Sequence, residues 1–284
     1  MTDTHYHLAL KNNQHWILEA DPGLGDWLQH FTAILMLREA VPGEKAPSWR
    51  FSLAERENQK SPGDGWVSSW SQWQSIHAKM DGTDIITGIV PYDRSDKKED
   101  VVRMMLAIQS LYLAVWPCSG IPVHAALLER EGQAILIAAP GGTGKSTCAT
   151  RIPPPWRALC DDSVLMVPSG GLYCAHPLPT WSDFLMRDQY DRRWDVEAAV
   201  PVTGIWFLEH GDEDNGSPIG KGEAASRLYQ SAVQISGACM RKQGNEPVYT
   251  DWHTALFSRC CDAVAPLSCG VLKATLEGRF WECL

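Results

Sequence analysis

The sequence predicts an α/β protein in two parts: a smaller α+β region over residues 1–117 and, over 118–284, an α/β domain built on a sheet flanked by helices. Three observations carry this. Ala134 to Ala139 is apolar at every position, the pattern of a strand buried on both faces, and it opens into a glycine-rich turn and a helix start. From there to the C-terminus strand-like runs alternate with helix-like ones, the order that produces layered α/β folds. Pro117 and Gly120 break a long helical pattern and set the boundary near Pro117 to Ile121. With 284 residues, 44% of them hydrophobic, the chain can bury the core of one large domain or of two ordinary ones.

In chain order, His5 to Leu18 reads as a hairpin around the polar turn Lys11-Asn12-Asn13. Leu24, Trp27, Leu28, Phe31, Ile34 and Leu35 recur at helical spacing and predict a helix with one buried face, the pattern closing with Pro42-Gly43. Glu57 to Gly65, containing Ser61-Pro62-Gly63-Asp64-Gly65, is a loop, and Asp84 to Val90 a strand. Asp96 is placed to cap a helix over Lys97 to Trp116, with Glu99 three residues on serving the first-turn amides. The mixed signs of the charge run Asp93 to Asp100 fit that solvated helix start. Past the boundary, Val123 to Glu129 and Gln133 to Ala139 are strands joined at Arg130-Glu131-Gly132. Further strands are expected at Leu159 to Cys160, Val164 to Val167, Val202 to Leu208 and Gly270 to Leu276, and a helix over Gly222 to Ser236.

Composition narrows the function classes. The net charge of −9 opposes binding to the phosphate backbone of nucleic acid. The longest apolar runs, such as Leu111 to Trp116, fall short of the roughly 20 residues of a membrane-spanning helix. Residues 1 to 20 lack the basic start and apolar stretch of a secretory signal, so a cytoplasmic protein with no membrane partner is expected. The nine cysteines, odd in number and without a CxxC pair, read as reduced core thiols, and no Cys or His spacing suggests a structural metal. Thirteen tryptophans spread without a repeat period read as packing.

Ala139-Pro140-Gly141-Gly142-Thr143-Gly144-Lys145-Ser146 matches GxxxxGK[ST], the Walker A pattern of a P-loop, except that Ala139 stands in the first glycine position. The glycines let successive backbone N–H groups turn inward around phosphate oxygens, and the helix starting near Lys145 and running through Thr147 adds its positive dipole end. Lys145 can reach the β- and γ-phosphates of ATP, and the Ser146 hydroxyl can ligate Mg2+ bridging the same oxygens. Pro153-Pro154-Pro155 keep that helix short. Asp161 and Asp162 lie 16 and 17 residues after Lys145, directly behind the strand-like Leu159-Cys160, at the sheet edge where ligands collect. One carboxylate can hold Mg2+ while the other accepts the proton of an attacking hydroxyl, and neighbouring acids raise each other's pKa. Elsewhere the pair would read as a polar turn; after this loop it points to phosphoryl transfer.

His124-Ala125-Ala126-Leu127-Leu128, Ala134 to Thr147 and Ala158-Leu159-Cys160-Asp161-Asp162 resemble, in order, spacing and context, the kinase core of the HPr kinase/phosphorylase family, related in fold to the phosphoenolpyruvate carboxykinases. In that family a histidine precedes the lysine by about the 21 residues that separate His124 from Lys145. His176-Pro177-Leu178-Pro179-Thr180-Trp181-Ser182 and Pro201 to Leu208 are similar to a divergent branch found with peptide-modification gene clusters, which includes the SynChlorMet cassette protein ScmC and the kinases of lasso-peptide pathways. The resemblance covers about residues 121–284. It implies an HPr kinase/PEP carboxykinase-like P-loop core with a mixed sheet, using ATP and Mg2+, base and metal roles for Asp161 and Asp162 in either order, and support from His124. It also implies a Ser or Thr hydroxyl of a peptide or small carrier protein as acceptor. His124 reads equally well as a hydrogen-bonded structural histidine.

The strand with Glu and Arg that follows the Asp pair in the HPr enzymes has no copy here, which removes the grounds for HPr itself as acceptor and for phosphorolysis. Arg187, Arg192, Arg193 and Arg241, the last in the run Arg241-Lys242-Gln243-Gly244, are candidate cations for transition-state charge, each also readable as an ordinary exposed arginine. Pro177 to Trp181 reads as a loop lining the acceptor site, and Ser182 lacks the GxSxG surroundings of a hydrolase nucleophile. A nucleotide-gated peptide-binding protein that transfers nothing and a small-metabolite kinase stay open as alternatives, as do a homo-oligomer and the role of residues 1–117.

Overall fold

The computed structural model describes residues 4–54, 61–241 and 248–284. They cluster into two compact units. Residues up to Gly120, with Trp181–Glu197 and Ser236–Trp252, form one; Ile121–Thr180, Ala198–Ile235 and His253–Leu284 form the other. The architecture is α/β, with a mixed sheet in each unit.

The first unit's strands are β1 (Tyr6–Ala9), β2 (His15–Ala20), β3 (Arg38–Glu39), β4 (Ser48–Leu53), β5 (Trp66–Trp70), β6 (Gln74–Lys79) and β7 (Ile85–Ile89). They form a sheet in the order β3-β1-β2-β4-β7-β6-β5. The expected hairpin is β1–β2, with Asn13 in left-handed backbone at its turn. On α1 (Gly25–Ile34), Trp27 and Phe31 lie one turn apart; Trp27 meets Phe51 at a tilt and Phe31 meets Trp49 and Phe51 edge-on, the two strand rings sharing a face of β4 at i, i+2. The helix ends at Ile34, where its apolar face ends and Met36 turns left-handed, well before Pro42-Gly43. The helix expected over Lys97 to Trp116 forms as α2 (Lys97–Ala107) and α3 (Gln109–Val115), and the Asp96 carboxylate accepts from the Lys98 amide at 2.8 Å. The whole stretch Lys97–Cys118 is long and apolar enough to cross a membrane by composition, but 67% of its most apolar window is buried, as in a helix covering a core. Of the expected loop, residues 57–60 lie outside the described residues.

Strands β4, β5 and β6 have no counterpart in the sequence reading. On β5 and β6 the buried positions include Ser68, Ser69, Gln74, Ser75 and His77, so polar residues stand where strand patterns show apolar ones. Each needs a partner inside: Ser68 Oγ meets His77 Nδ1 at 2.8 Å, and Gln74 Nε2 donates to the Leu106 carbonyl at 2.9 Å.

The second unit runs β8 (Ile121–Val123), β9 (Ala125–Arg130), β10 (Gln133–Ala138), α4 (Lys145–Arg151), β11 (Arg157–Cys160), β12 (Ser163–Ser169) and β13 (Leu172–Leu178). After the short helix α5 (Trp181–Arg187), which belongs to the first unit, come β14 (Val200–His210), β15 (Asn215–Pro218), α6 (Lys221–Ser236), α7 (Trp252–Val264) and β16 (Ser268–Ala274). The sheet follows β11-β9-β10-β14-β13-β12-β8, with β16 also beside β14 and β15 beside β16. The turn of the β9–β10 hairpin places Glu131 and Gly132 at positive φ. The single strand expected over Val123 to Glu129 is broken at His124: β8 pairs with β12, whereas β9 pairs with β10 and β11. Pro177 and Leu178 are strand residues of β13 and Trp181 opens α5, so the expected loop shrinks to Pro179-Thr180. Cys148 and Ala149 of α4 pack with Ala126, Leu128, Ile135 and Ile137 on one face of the sheet.

Asp96→Ala is expected to destabilise the first unit by about 1 kcal/mol through loss of the cap, and Asp96→Ser to restore most of it; urea unfolding of the full chain checks both.

Candidate functional site

Strand polarity decides what meets at one edge of the second sheet. β9 lies between β10 and β11 and is antiparallel to both, with Ala138 opposite Ala125 and Cys160 opposite Leu127. The ends of β10 and β11 and the start of β9 therefore share an edge. Ala139 to Gly144 follows β10, Asp161-Asp162 follows β11, and His124 precedes β9. β14, parallel to β10 with Ala138 opposite Phe207, brings Glu209 and His210 to the same edge.

Within the loop, Gly142 and Gly144 have φ of 80° and 105°, the left-handed conformations that disfavour any Cβ. The space beside Gly141 and Gly142 is open. Ala139, in the first glycine position, packs its methyl into the core with Cys148 and Leu208, so that position uses a side chain. Thr143 Oγ1 donates to the Pro140 carbonyl at 3.0 Å. Lys145 is only 5% exposed; its Nζ folds back to donate to the carbonyls of Ala139 at 2.9 Å and Pro140 at 3.2 Å. Burial lowers its pKa, and the charges of Asp162 and Asp161 push back without restoring the ordinary lysine value. Ser146 is half-buried and Thr147 exposed in the first turn of α4.

The two carboxylates are held differently. Asp161 accepts from the Thr180 hydroxyl. Asp162 Oδ1 lies 3.2 Å from His124 Nε2, and its Oδ2 accepts from Ser163 Oγ at 3.3 Å. Burial by itself would raise the pKa of Asp162, but the hydrogen bond and charge of His124, the charge of Lys145 and the Ser163 bond outweigh it and hold the group below the usual carboxylate value. The upward shift expected of neighbouring acids is therefore reversed at Asp162. An ionised carboxylate only accepts, so His124 carries its proton on Nε2; its Nδ1 is buried with no hydrogen-bond partner among the described residues. The His124 carbonyl accepts from Ser231 Oγ of α6 at 2.9 Å.

No group of three or more His, Cys, Asp or Glu among the described residues could hold a metal by itself. The Ser146 hydroxyl and one or two carboxylates suit Mg2+, which takes few protein ligands and fills its shell with water and phosphate oxygens. Beside the loop lies a cavity of about 680 Å³, bounded by Ala139, Pro140 and Thr143, the end of β14, and α6. There Arg227 is clamped between Glu209 at 2.9 Å and Glu223 at 3.0 Å, with its guanidinium over the Phe207 ring.

Of the residues singled out from sequence, the 139–147 segment, Asp161, Asp162 and His124 come together. Arg187 and Arg192 both pair with Asp183, at 2.6 and 3.3 Å, and Arg193 donates to the carbonyls of Tyr190 and Arg192, all in the first unit. Arg241, also in that unit, accepts from Ser69 Oγ through its carbonyl, and residues 242–244 lie outside the described residues. Thr180 lies in the Pro177 to Trp181 segment expected to line the site, whereas Ser231 and Arg227 carry no sequence signal for their places here beyond the i, i+4 spacing of Glu223 and Arg227.

The family model of the SynChlorMet cassette protein ScmC matches residues 90–284, more than two thirds of the chain and the whole of the second unit. No curated protein matches.

A carboxyl held below its ordinary value adds stability above that value and loses it as pH falls through the lower, folded one. Asp162→Asn is therefore expected to be less stable than the wild type near neutrality, by less than about 1 kcal/mol for this partly exposed pair. The deficit shrinks below about pH 4. Urea unfolding of both proteins across that range measures it.

Proposed function

We propose that this chain, which belongs to the SynChlorMet cassette protein ScmC family, is an ATP-dependent, HPr kinase-like P-loop kinase that transfers the γ-phosphoryl group to a Ser or Thr hydroxyl of a peptide or small carrier protein. The observation that supports it most is the meeting of a buried, glycine-flanked Lys145 with the Asp161-Asp162 pair at one sheet edge, close enough for both carboxylates to act on the lysine charge. A nucleotide loop explains the lysine, and an adjacent acid pair adds what hydroxyl transfer needs. The peptide or carrier acceptor rests on the resemblance of residues 176–182 and 201–208 to kinases of peptide-modification clusters.

In this reading Lys145 exchanges its two loop carbonyls for β- and γ-phosphate oxygens, a change from neutral to charged acceptors. Ser146 and Asp162 would hold Mg2+, which would add positive charge beside the phosphates. Asp162, held below the usual carboxylate value and oriented by His124, serves as the cation ligand. Asp161 takes the proton from the acceptor hydroxyl. A bond forms between that oxygen and the γ-phosphorus as the bond to the β,γ-bridging oxygen breaks, ADP leaves, and the proton ends on Asp161.

Labelled ATP incubated with the full chain and any short Ser- or Thr-containing peptide found encoded beside its gene is expected to yield a phosphopeptide stable to acid. Lys145→Met should weaken ATP binding about 10- to 100-fold. Asp161→Asn should leave ATP binding intact and slow transfer by about two to four orders of magnitude. No transfer by a wild type that binds ATP normally would sink the kinase reading, and peptide binding retained in Asp161→Asn and Asp162→Asn without any transfer would favour a nucleotide-gated binding protein.

A further inference from the structure

The cavity against α6 has no part in the chemistry just described, and its position relative to the acid pair gives it one. Across the sheet the strands run β11, β9, β10, β14. The Asp161-Asp162 pair follows β11, whereas the cavity is bounded by the end of β14, so the two lie on opposite sides of the loop that follows β10. A nucleotide lying on that loop with its γ-phosphate toward the acids has to leave its nucleoside on the β14 side.

We infer that this cavity holds the base and ribose of the nucleotide, with Gln230 and Gln234 of α6 reading the edge of the base and Glu209 accepting from the ribose hydroxyls; this rests on the nucleotide reading proposed above. Its volume of about 680 Å³ falls in the range of small-molecule sites, roughly 300–1,000 Å³. Its floor is apolar, formed by Ala138, Phe207 and Leu208, which suits a flat heteroaromatic ring. Its charge is wrong for phosphate: Glu209 and Glu223 share the single cation Arg227 and leave the lining net negative, so the triphosphate stays with Lys145 and a neutral group enters. Gln230 and Gln234, four residues apart, project from one face of α6, and each primary amide offers a donor and an acceptor. That paired chemistry matches the amino and ring-nitrogen edge of adenine. Their exposure leaves both amides free of any load on the fold.

Calorimetric titration of the full chain with Mg–ATP and with Mg–tripolyphosphate separates the two halves of the ligand. The wild type is expected to bind ATP more tightly than tripolyphosphate. Gln230→Ala/Gln234→Ala should lower ATP affinity about tenfold, narrow its preference over GTP, and leave tripolyphosphate affinity unchanged. Ser226→Trp, which fills the cavity, should do the same more strongly, and circular dichroism of both variants controls for folding. Equal wild-type affinity for ATP and tripolyphosphate, or ATP affinity unchanged in both variants, overturns the assignment while leaving the phosphate loop standing. A raised KM for the acceptor peptide at unchanged ATP affinity overturns it in favour of an acceptor site. A wild type that binds neither ligand overturns the nucleotide reading itself, and the assignment with it.

Discussion

Because β9 runs antiparallel to both β10 and β11, three segments spread over nearly forty residues of sequence have to start or stop at one sheet edge. His124 enters β9 there, the 139–144 loop leaves β10 there, and Asp161-Asp162 leave β11 there. A crossover from β10 to β11 with nothing between them would set the loop and the acids on adjacent strands. Interposing β9 spaces them by two strand widths, about 10 Å, and puts the start of an antiparallel strand in the gap. That start is His124, and its ring reaches Asp162. The break between β8 and β9 serves the same end: a continuous strand would hold the backbone of His124 in ladder pairing, whereas here its carbonyl is taken by Ser231.

The charges at this edge depend on one another. Lys145 is buried, and a buried ammonium without acceptors or counter-charge would shed its proton. Two loop carbonyls and the nearby carboxylates hold it, although its pKa remains lowered. Asp162 is half-buried, and burial would raise its pKa had His124 and Lys145 not faced it. Removing Asp162 takes counter-charge from Lys145, and removing His124 or Lys145 takes from Asp162 a group that opposes its burial. The edge is therefore built as a unit, and single substitutions in it will not add.

What could be read from sequence followed the kind of burial involved. β9 and β10 are apolar along both faces, and the glycine pattern of 139–146 fixes a backbone, so both are visible in residue types alone. α1 was visible through its periodic face, but its end was not, since Met36 turns left-handed without a glycine or proline to mark it. β5 and β6 escaped because Ser68, Gln74 and His77 are buried through specific hydrogen bonds, which have no period. At the site, Lys145 and the Asp pair carry a spacing; Thr180 and Ser231 reach it from β13's end and from α6, as ordinary hydroxyls whose meaning is set by partners far along the chain. The direction in which the pKa of Asp162 shifts is hidden for the same reason. Adjacency to Asp161 is written in the sequence, whereas His124 lies 38 residues away.

The unequal settings of the two acids bear on how hydroxyl transfer would be divided between them. A carboxylate that binds a cation has to remain ionised as the ion comes and goes, and a depressed pKa with a fixed imidazole donor secures that for Asp162. The proton acceptor has the opposite need, since it must become neutral within each turnover. Among the described residues Asp161 accepts its side-chain hydrogen bond from the mobile donor of a hydroxyl, and Thr180 can rotate its O–H away once the carboxyl carries its own proton. An imidazole Nε2–H fixed in the ring plane has no such freedom. The same constraint that would make Asp162 a dependable ligand would make it a poor base, so exchanging the two proposed roles would require moving His124.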